Sequence, residues 1–248
     1  MIVIPMAGMS SRFFKAGYTQ PKYMLEAHGI TLFEHSVKSF EKYFNSLPFL
    51  FIIKDVFDTK KFVEEKVRAL GIKEFYISVL NHDTRGQAET VALGLNQLAN
   101  TRGNSEEPIT IFNIDTFRPE FEFPDLIFNS DGYLEVFEGE GDNWSFAKPL
   151  KEGATKVIET AEKNPISNLC STGLYHFSNL KYFFLAYEEY LNKPKEDWDK
   201  GELYIAPIYN LLIDKGFNIH YNLIDRSDVI FCGVPSEYIE FLKSKDKD

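Results

Sequence analysis

The chain has 248 residues, of which 44% are hydrophobic and 26% are charged, which suits one large α/β domain or at most two small ones. Its formal net charge of −10 argues against general binding of nucleic acid or of an anionic membrane, although cations focused in one cleft could still bind a nucleotide. No segment approaches the ~20 continuous apolar residues that span a bilayer, and the start lacks the pattern of a signal peptide. The two cysteines, Cys170 and Cys232, have no metal-type spacing. We therefore expect a cytoplasmic protein with reduced thiols.

The first residues predict a strand that leads into an anion-binding loop. Residues 2–4 form an apolar run typical of a buried strand. The loop that follows consists of small residues and leads to Arg12, and a second cation, Lys22, follows a proline. Small residues let backbone N–H groups approach an anion closely, and the two cations add positive charge. The loop residues that we expect to bind the nucleotide are Ala7, Gly8, Met9, Ser10 and Ser11.

The first half of the chain alternates predicted strands and helices. Apolar residues at helical spacing predict a helix over residues 32–44. Further along we predict strands at 49–53, 74–79 and 109–112 and helices at 59–70 and 87–98. Residues 101–107 are polar and predict a surface loop. Repeated β-α-β units imply a parallel sheet with right-handed crossovers.

The second half has a different pattern, because several predicted strands follow one another without long helices between them. These strands cover residues 133–137, 144–147, 155–161 and 169–177, which indicates an antiparallel or mixed extension. Helices at 180–191 and 202–213, strands at 218–224 and 229–232 and a helix at 235–242 follow. We therefore predict one domain over residues 1–248, with a mononucleotide-binding half to about residue 130 and an acceptor-binding half over about residues 131–242.

Two polar segments lie where parallel sheets bind ligands. Asp115 follows the predicted strand 109–112, and a carboxylate there suits Mg²⁺, although a turn-capping aspartate has the same pattern. Gly86 and Gln87 precede a predicted helix. Gly86 permits close backbone approach, and the Gln87 amide can both donate and accept, as reading a base edge requires. An ordinary helix start is the other interpretation of this segment.

The first twenty-two residues resemble the N-terminal signature of the nucleotidyltransferases that make nucleoside-diphosphate sugars and related activated metabolites. That signature is a strand, then Ala-Gly-x-Gly-Ser/Thr-Arg, then Pro-Lys. The matching residues are Gly8, Ser11, Arg12, Pro21 and Lys22, while Ser10 stands where the family has its second glycine. The resemblance implies a Rossmann-like fold of GT-A type, with a mixed, mostly parallel central sheet flanked by helices and a smaller β extension on the acceptor side. It also implies that Asp115 holds Mg²⁺ and that Gly86 and Gln87 lie at the base.

The acceptor half resembles the same family in two strands. A Val-x-x-x-x-Glu-Lys strand end covers residues 157–163, and a Gly-x-Tyr-x-Phe strand covers residues 173–177. The resemblance implies that Glu162 and Gly173 contact the acceptor and that Lys163 binds its phosphate.

The chain departs from the family near its C-terminal end. Gly-Val-Pro at 233–235 resembles a family turn, and many members carry a second metal-binding aspartate two residues before its glycine. This chain has Phe231 there. We predict Asp225 as the second ligand because it follows a predicted strand. Alternatively, Asp228 could reach the metal, or Asp115, phosphates and water could hold the ion.

The resemblance implies transfer of a nucleotidyl group from an NTP, with a pyrimidine base favoured, to a small phosphorylated acceptor such as a sugar 1-phosphate. Pyrophosphate would be released, and surface-polysaccharide synthesis would use the product. Arg12, Lys22 and Lys163 are the predicted catalytic residues, since two anions must be brought together. The alternatives are a cytidylyltransferase for phosphocholine or a phosphorylated amide, a nucleotide-sugar glycosyltransferase and a non-catalytic nucleotide-binding module. Glycosyltransferases typically need Asp-x-Asp, where this chain has Asn113-x-Asp115. We expect no nucleic-acid or membrane partner, and the oligomeric state stays open.

Overall fold

The computed structural model describes residues 1–103 and 106–244. Residues 104–105, in the predicted loop, and 245–248, at the end of the predicted domain, lie outside the described residues. The strands are β1 Ile2–Pro5, β2 Glu26–Ala27, β3 Ile30–Thr31, β4 Phe49–Ile53, β5 Phe75–Val79, β6 Ile109–Phe112, β7 Thr116–Phe117, β8 Gly132–Glu138, β9 Ser145–Pro149, β10 Val157–Glu162, β11 Leu169–Phe177, β12 Ile219–Ile224 and β13 Ile230–Phe231. The helices are α1 Ser11–Lys15, α2 Leu32–Lys38, α3 Thr59–Leu70, α4 Gln87–Arg102, α5 Leu126–Asn129, α6 Leu180–Leu191, α7 Ile208–Asp214 and α8 Pro235–Lys243. Among the helices described, none is both long enough and apolar enough to span a membrane.

The main sheet has the strand order β10-β9-β11-β6-β1-β4-β5, and β8 also pairs with β11 and carries β12 on its other side. The strands β6, β1, β4 and β5 are parallel to one another, whereas β11 runs antiparallel to β6 and β8. The predicted Rossmann-like α/β class is therefore confirmed, including the mixed β extension. Strands from both predicted halves share this sheet.

Burial explains the strands of the parallel part. Every residue of β1 and β4 is buried, because helices cover both faces, and this is why these strands are continuous apolar runs. Local signals explain where two of the covering helices begin and end. Thr31 and Glu34 form a reciprocal capping box at the start of α2, and α3 ends at Gly71, which adopts a left-handed conformation.

Three predicted helices have different bounds in the structure. Helix α2 ends at Lys38, six residues before the predicted end at 44, and a separate 3-10 helix over Glu41–Tyr43 follows it. Helix α4 continues to Arg102, past the predicted end at residue 98. Helix α7 begins at Ile208, six residues after the predicted start at 202, with Pro207 at its N-cap. A proline disfavours helical conformation in the residue before it, so the preceding segment is not part of the helix. That segment instead passes next to Gly86, where the Ala88 N–H donates to the Leu203 carbonyl at 2.8 Å.

A change of partner along β11 opens the sheet near its centre. On one edge, β11 pairs with β6 over residues 174–177 and with β9 at Cys170. On the other edge, its register with β8 shifts between Ser171 and Tyr175. In the described chain, residues 171–173 therefore have no paired strand on the β6–β9 edge. The opening lies beside Asp115, which follows the end of β6.

A buried ion pair connects this opening to the C-terminal part of the chain. Glu135 on β8 has no exposed side-chain surface, and its carboxylate accepts from the Arg118 Nε at 2.9 Å. The same carboxylate oxygen accepts from the Thr172 hydroxyl at 3.1 Å, and Arg118 also donates to the Asp228 carbonyl at 3.1 Å. Burial raises the pKa of the Glu135 carboxyl, and Arg118 opposes that rise. The pair thus joins β8 and β11 to the turn before β13.

We expect Arg118→Ala to lower the free energy of unfolding by about 3–5 kcal/mol near pH 8, because it leaves the buried Glu135 charge unpaired. Ionised Glu135 destabilises the folded state in this variant, so the loss should shrink as the pH falls and Glu135 takes up a proton. Chemical denaturation of both proteins at two pH values measures this difference.

The control is Arg102→Ala, since Arg102 forms ion pairs with Glu107 and Glu74 at the surface and should cost less than about 1 kcal/mol. Equal losses for the two variants, or a loss for Arg118→Ala that does not change with pH, would contradict this account of Glu135.

Candidate active site

A cavity of about 880 Å³ lies where β1 and β6 end and beside the opening in β11. The structure brings most of the predicted site residues to its walls. Those residues are Met9, Ser10, Ser11, Arg12, Lys22, Gln87, Asp115, Glu162, Lys163 and Gly173. A smaller cavity is lined by Ala7, Gly8 and Gly86 and shares Met9 and Gln87 with the larger one. Residues predicted to bind the nucleotide and residues predicted to bind the acceptor therefore line the same cavity.

The Lys22–Asp115 ion pair lies at the centre of the cavity. The Lys22 Nζ is 2.5 Å from the Asp115 Oδ2, and each side chain is about one-fifth exposed. Burial raises the pKa of the Asp115 carboxyl. Lys22 and, to a smaller extent, Arg12 lower it by more than burial raises it, so the net pKa falls below its ordinary value. Asp115 is therefore an ionised oxygen donor at neutral pH, the form in which a carboxylate binds a hard cation.

Ser10 adopts the backbone conformation that explains the family glycine at this position. Its φ of 49° and ψ of 31° place it in the left-handed region, which glycine adopts without steric cost. The serine hydroxyl accepts from the Lys22 backbone N–H at 3.1 Å. The departure from the motif thus fixes the loop against the Pro21–Lys22 segment.

The Gln87 side chain contacts a residue that the sequence analysis did not assign to the nucleotide site. Its Nε2 donates to the Asn113 Oδ1 at 2.5 Å. The Asn113 amide in turn lies against Gly173, where an added Cβ would be 2.2 Å from the Asn113 Nδ2. The close neighbour that requires glycine at 173 is therefore Asn113, whereas the sequence analysis expected an acceptor there.

Gly86 also has a protein neighbour that requires its lack of a side chain. An added Cβ would lie 2.4–2.7 Å from backbone atoms of Leu203. The close approach expected from a ligand is thus made by the segment before α7, although Gly86 still lines the smaller cavity.

Glu162 and Lys163, the residues predicted to contact the acceptor, line the same cavity. Glu162 is buried, and its carboxylate accepts from the Ser145 hydroxyl. Burial raises the pKa of the Glu162 carboxyl, and Ser145 and Lys163 lower it. The Lys163 Nζ donates to the Tyr204 hydroxyl at 2.6 Å and lies 4.6 Å from the centre of its ring. With a φ of 51°, Lys163 adopts a conformation that costs about 1–3 kcal/mol for a residue other than glycine, and its side chain lines the cavity.

Aromatic packing occupies the position of the second family aspartate. The Phe231 ring lies 4.9 Å from that of Trp144 and 5.6 Å from that of Phe137. The Arg226 guanidinium lies 4.9 Å from the centre of the Phe231 ring. Phe231 and Trp144 both line the cavity, so an apolar wall stands where many family members have a carboxylate.

Asp225 does not lie with Asp115, and the prediction that it is the second metal ligand is corrected here. It is exposed at the end of β12 and does not line the cavity. Strand β12 is separated from β6 by β8 and β11, which places the two strands about 14 Å apart at the usual spacing of ~4.8 Å. The nearness of Asp225 to the glycine turn in sequence does not bring it to the metal position.

Glu237 is the second acidic residue that the structure places beside Asp115. An added Cβ on Gly233 would lie 3.0 Å from the Asp115 Oδ2 and 3.6 Å from the Glu237 Oε2. Both carboxylates line the cavity. Among the described residues, no group of three or more His, Cys, Asp or Glu side chains could hold a metal ion by itself. A cation here would therefore need further ligands, such as substrate phosphates or water.

Sequence reasoning missed Asn113, Tyr204 and Glu237. The only sequence signal for Glu237 is its place three residues after Val234, the spacing of a helix-capping glutamate. For Tyr204, we find no signal in the sequence, because its contact with Lys163 spans 41 residues. Asn113 was noted only as the first position of an Asp-x-Asp-like pair.

Comparison with solved structures identifies the relatives of this chain. The crystal structure of the nucleoside-diphosphate-sugar pyrophosphorylase from Vibrio cholerae RC9 is 68% identical, covers 98% of this chain and 100% of that chain, and has a TM-score of 0.96. A putative glucose-1-phosphate thymidylyltransferase from Bacillus anthracis, solved in complex with a sucrose, is 19% identical with a TM-score of 0.71 and covers 97% and 93% of the two chains. The inositol-1-phosphate CTP transferase from T. maritima is 15% identical with a TM-score of 0.69 and covers 97% and 94%.

The similarity to the Bacillus and T. maritima structures, at 19% and 15% identity, shows the fold alone. The Vibrio structure is similar at 68% identity over 98% of the chain and therefore shows the family. A scan of protein-family models found no match, and a search of curated proteins found none either. The chain therefore belongs to the nucleotidyltransferase family that includes the nucleoside-diphosphate-sugar pyrophosphorylases, and the protein is an enzyme of this class.

Proposed function

We propose that the protein transfers the nucleotidyl group of an NTP to the phosphate of a sugar 1-phosphate and releases pyrophosphate. The observation that carries this proposal is the meeting of Arg12, Lys22, Asp115 and Lys163 in one cavity. The same cavity is lined by four carboxylates, those of Asp115, Glu140, Glu162 and Glu237. Direct contacts from the three cations to the phosphates, and not a net positive field, would therefore stabilise two anionic reactants here. The cavity of about 880 Å³ is in the size range of small-molecule sites.

The reaction forms one bond and breaks one. An oxygen of the acceptor phosphate attacks the α-phosphorus, and the bond from the α-phosphorus to the bridging oxygen breaks, so that pyrophosphate leaves with the electron pair. A phosphate dianion is already nucleophilic, so no general base is needed. Lys22 binds the α-phosphate, Arg12 binds the β- and γ-phosphates and the leaving pyrophosphate, and Lys163 orients the acceptor phosphate.

The cavity also suits Mg²⁺. Asp115 is ionised, and Asp115 and Glu237 both lie beside Gly233 at the cavity wall. A bound Mg²⁺ would supply positive charge to the phosphate oxygens. Because the Lys22 ammonium is paired with Asp115, binding of the cation at Asp115 would release Lys22 for the α-phosphate.

The proposal also names the base of the NTP, the acceptor and the role of the product. Gln87 lines both cavities, and its amide can donate to and accept from a base edge, which supports a pyrimidine NTP. The name of the Vibrio relative supports a sugar phosphate as acceptor. Synthesis of surface-polysaccharide precursors in the cytoplasm is the role that we propose for the product.

We expect Lys22→Ala and Asp115→Ala each to lower the rate of pyrophosphate release by about 10²-fold or more. Lys22 supplies positive charge to the transition state, and Asp115 would hold the cation that does the same. The measurement is pyrophosphate release with each of four NTPs and a panel of phosphorylated sugars and small metabolites. It identifies the base and the acceptor together.

The control is Lys15→Ala, which removes the same charge from an exposed position in α1 that does not line the cavity. Wild-type activity in Lys22→Ala or in Asp115→Ala would reject the role given to that residue.

Lys163→Ala should raise the KM for the acceptor by about tenfold or more while changing the KM for the NTP much less, because its ammonium orients the acceptor phosphate in the proposed reaction. A charge-assisted hydrogen bond of about 1.5–3 kcal/mol accounts for a change of this size. Steady-state kinetics with each substrate varied in turn measures both constants.

The matched control is Lys148→Ala, since Lys148 is exposed on β9 and pairs with Glu159. Equal increases in the two KM values of Lys163→Ala would show that Lys163 is not specific to the acceptor.

A further inference from the structure

Phe231 stands at the position where many members of the family have their second metal-binding aspartate. Phe231 pairs with Thr116 across β13 and β7, so it lies beside the residue that follows Asp115. The family resemblance implies a carboxylate here, but the Phe231 ring packs on Trp144 and Arg226. The second carboxylate near Asp115 comes from α8.

Glu237 is held in place by its own helix. Its Oε2 accepts from the Gly233 N–H at 2.8 Å and from the Val234 N–H at 3.1 Å. These two hydrogen bonds occupy one carboxylate oxygen and fix the side chain against the turn. The side chain as a whole lines the cavity, so Oε1 is available for a ligand.

Gly233 lies beside both carboxylates, and its lack of a side chain lets them come close to the turn. A Cβ at this position would be 3.0 Å from the Asp115 Oδ2 and 3.6 Å from the Glu237 Oε2. Both side chains also line the main cavity. The two carboxylates therefore lie near each other at one part of the cavity wall, where a divalent cation would offset their repulsion.

We propose that Glu237 takes the place of the missing family aspartate and, together with Asp115, holds the divalent cation in the space beside Gly233. This inference rests on the proposed function, since that function supplies the phosphates that complete the coordination. Glu237 is then both the cap of α8 and a metal ligand, so the position of α8 is coupled to the metal.

The test measures binding of Mn²⁺ together with inorganic pyrophosphate, a probe that does not depend on the identity of the base. Water proton relaxation reports the bound Mn²⁺ directly. We expect Glu237→Gln to weaken Mn²⁺ binding by about tenfold or more, while its melting temperature without metal stays that of the wild type. The glutamine retains an oxygen that can accept from both turn N–H groups, so the substitution removes the charge and keeps the cap.

Gly233→Ala is a second variant that keeps both carboxylates. Its added methyl group would lie 3.0 Å from the Asp115 Oδ2, closer than a methyl group normally packs, and would displace that carboxylate relative to Glu237. We therefore expect it to weaken Mn²⁺ binding as well. Gly233 does not have a left-handed φ, so alanine fits its backbone conformation. The matched control is Glu240→Gln, which removes the same charge from an exposed position on α8 and should bind Mn²⁺ as the wild type does.

The two proposals fail in different ways. Wild-type Mn²⁺ binding in both Glu237→Gln and Gly233→Ala, with binding lost in Asp115→Ala, would overturn the role of Glu237 and leave the proposed function intact. Wild-type Mn²⁺ binding in Asp115→Ala would reject the metal site as a whole. Loss of binding in Glu240→Gln equal to that in Glu237→Gln would show a general effect of charge on α8 and would also overturn the inference.

Discussion

The ion pair between Lys22 and Asp115 is the interaction around which the site is built. At 2.5 Å it joins the Pro21–Lys22 segment to the turn after β6, and it brings a cation and an anion into the cavity where we propose that phosphates and a metal bind. The protein carries a net charge of −10, so two anionic substrates would be repelled by its average field. Arg12, Lys22 and Lys163 would have to contact those substrates directly, because four carboxylates line the same cavity.

The sheet creates the room for this arrangement. Because β11 pairs with β6 at one end and with β9 at the other, the strands separate around residues 171–173. The nucleotide-side residues reach the gap from the ends of β1 and β6, and Lys163 reaches it from the end of β10. The Arg118–Glu135 pair holds β8, β11 and the turn before β13 together around the same gap. Loss of this ion pair would therefore both destabilise the fold and change the shape of the gap.

Position 231 shows how a change in one residue type alters a whole wall of the cavity. A phenylalanine there adds to the aromatic cluster of Trp144 and Phe137 and makes the acceptor side more apolar. The carboxylate function that it displaces is available from Glu237, one helical turn into the next element. Because Glu237 already caps α8, its side chain has lost its rotational freedom before any ligand binds, and preorganised donors of this kind lose less entropy on binding.

The sequence alone predicted the strands of the main sheet and the parallel first half, because buried strands and helix caps are local patterns. The two-residue strands β2, β3 and β7 are too short to have such a pattern and were not predicted. The start of β11 at 169 and the end of α3 at Gly71 were predicted from such patterns. Motif matches also predicted residues that the fold then brought into one cavity, such as Arg12, Lys22 and Lys163. The start of α7 was wrong because tertiary contacts of the 203–207 segment and Pro207 outweigh its helical periodicity.

Only the tertiary structure decided which carboxylate accompanies Asp115. Asp225 and Glu237 both lie within eight residues of Gly233 in the sequence. Strand order places Asp225 on the far side of β8, whereas the first turn of α8 brings Glu237 to the cavity. The same holds for Tyr204 and Asn113, whose contacts with Lys163 and Gln87 join segments 41 and 26 residues apart. Long-range contacts of this kind have no periodic signature, since they depend on the order in which strands assemble and not on the spacing of residues along the chain.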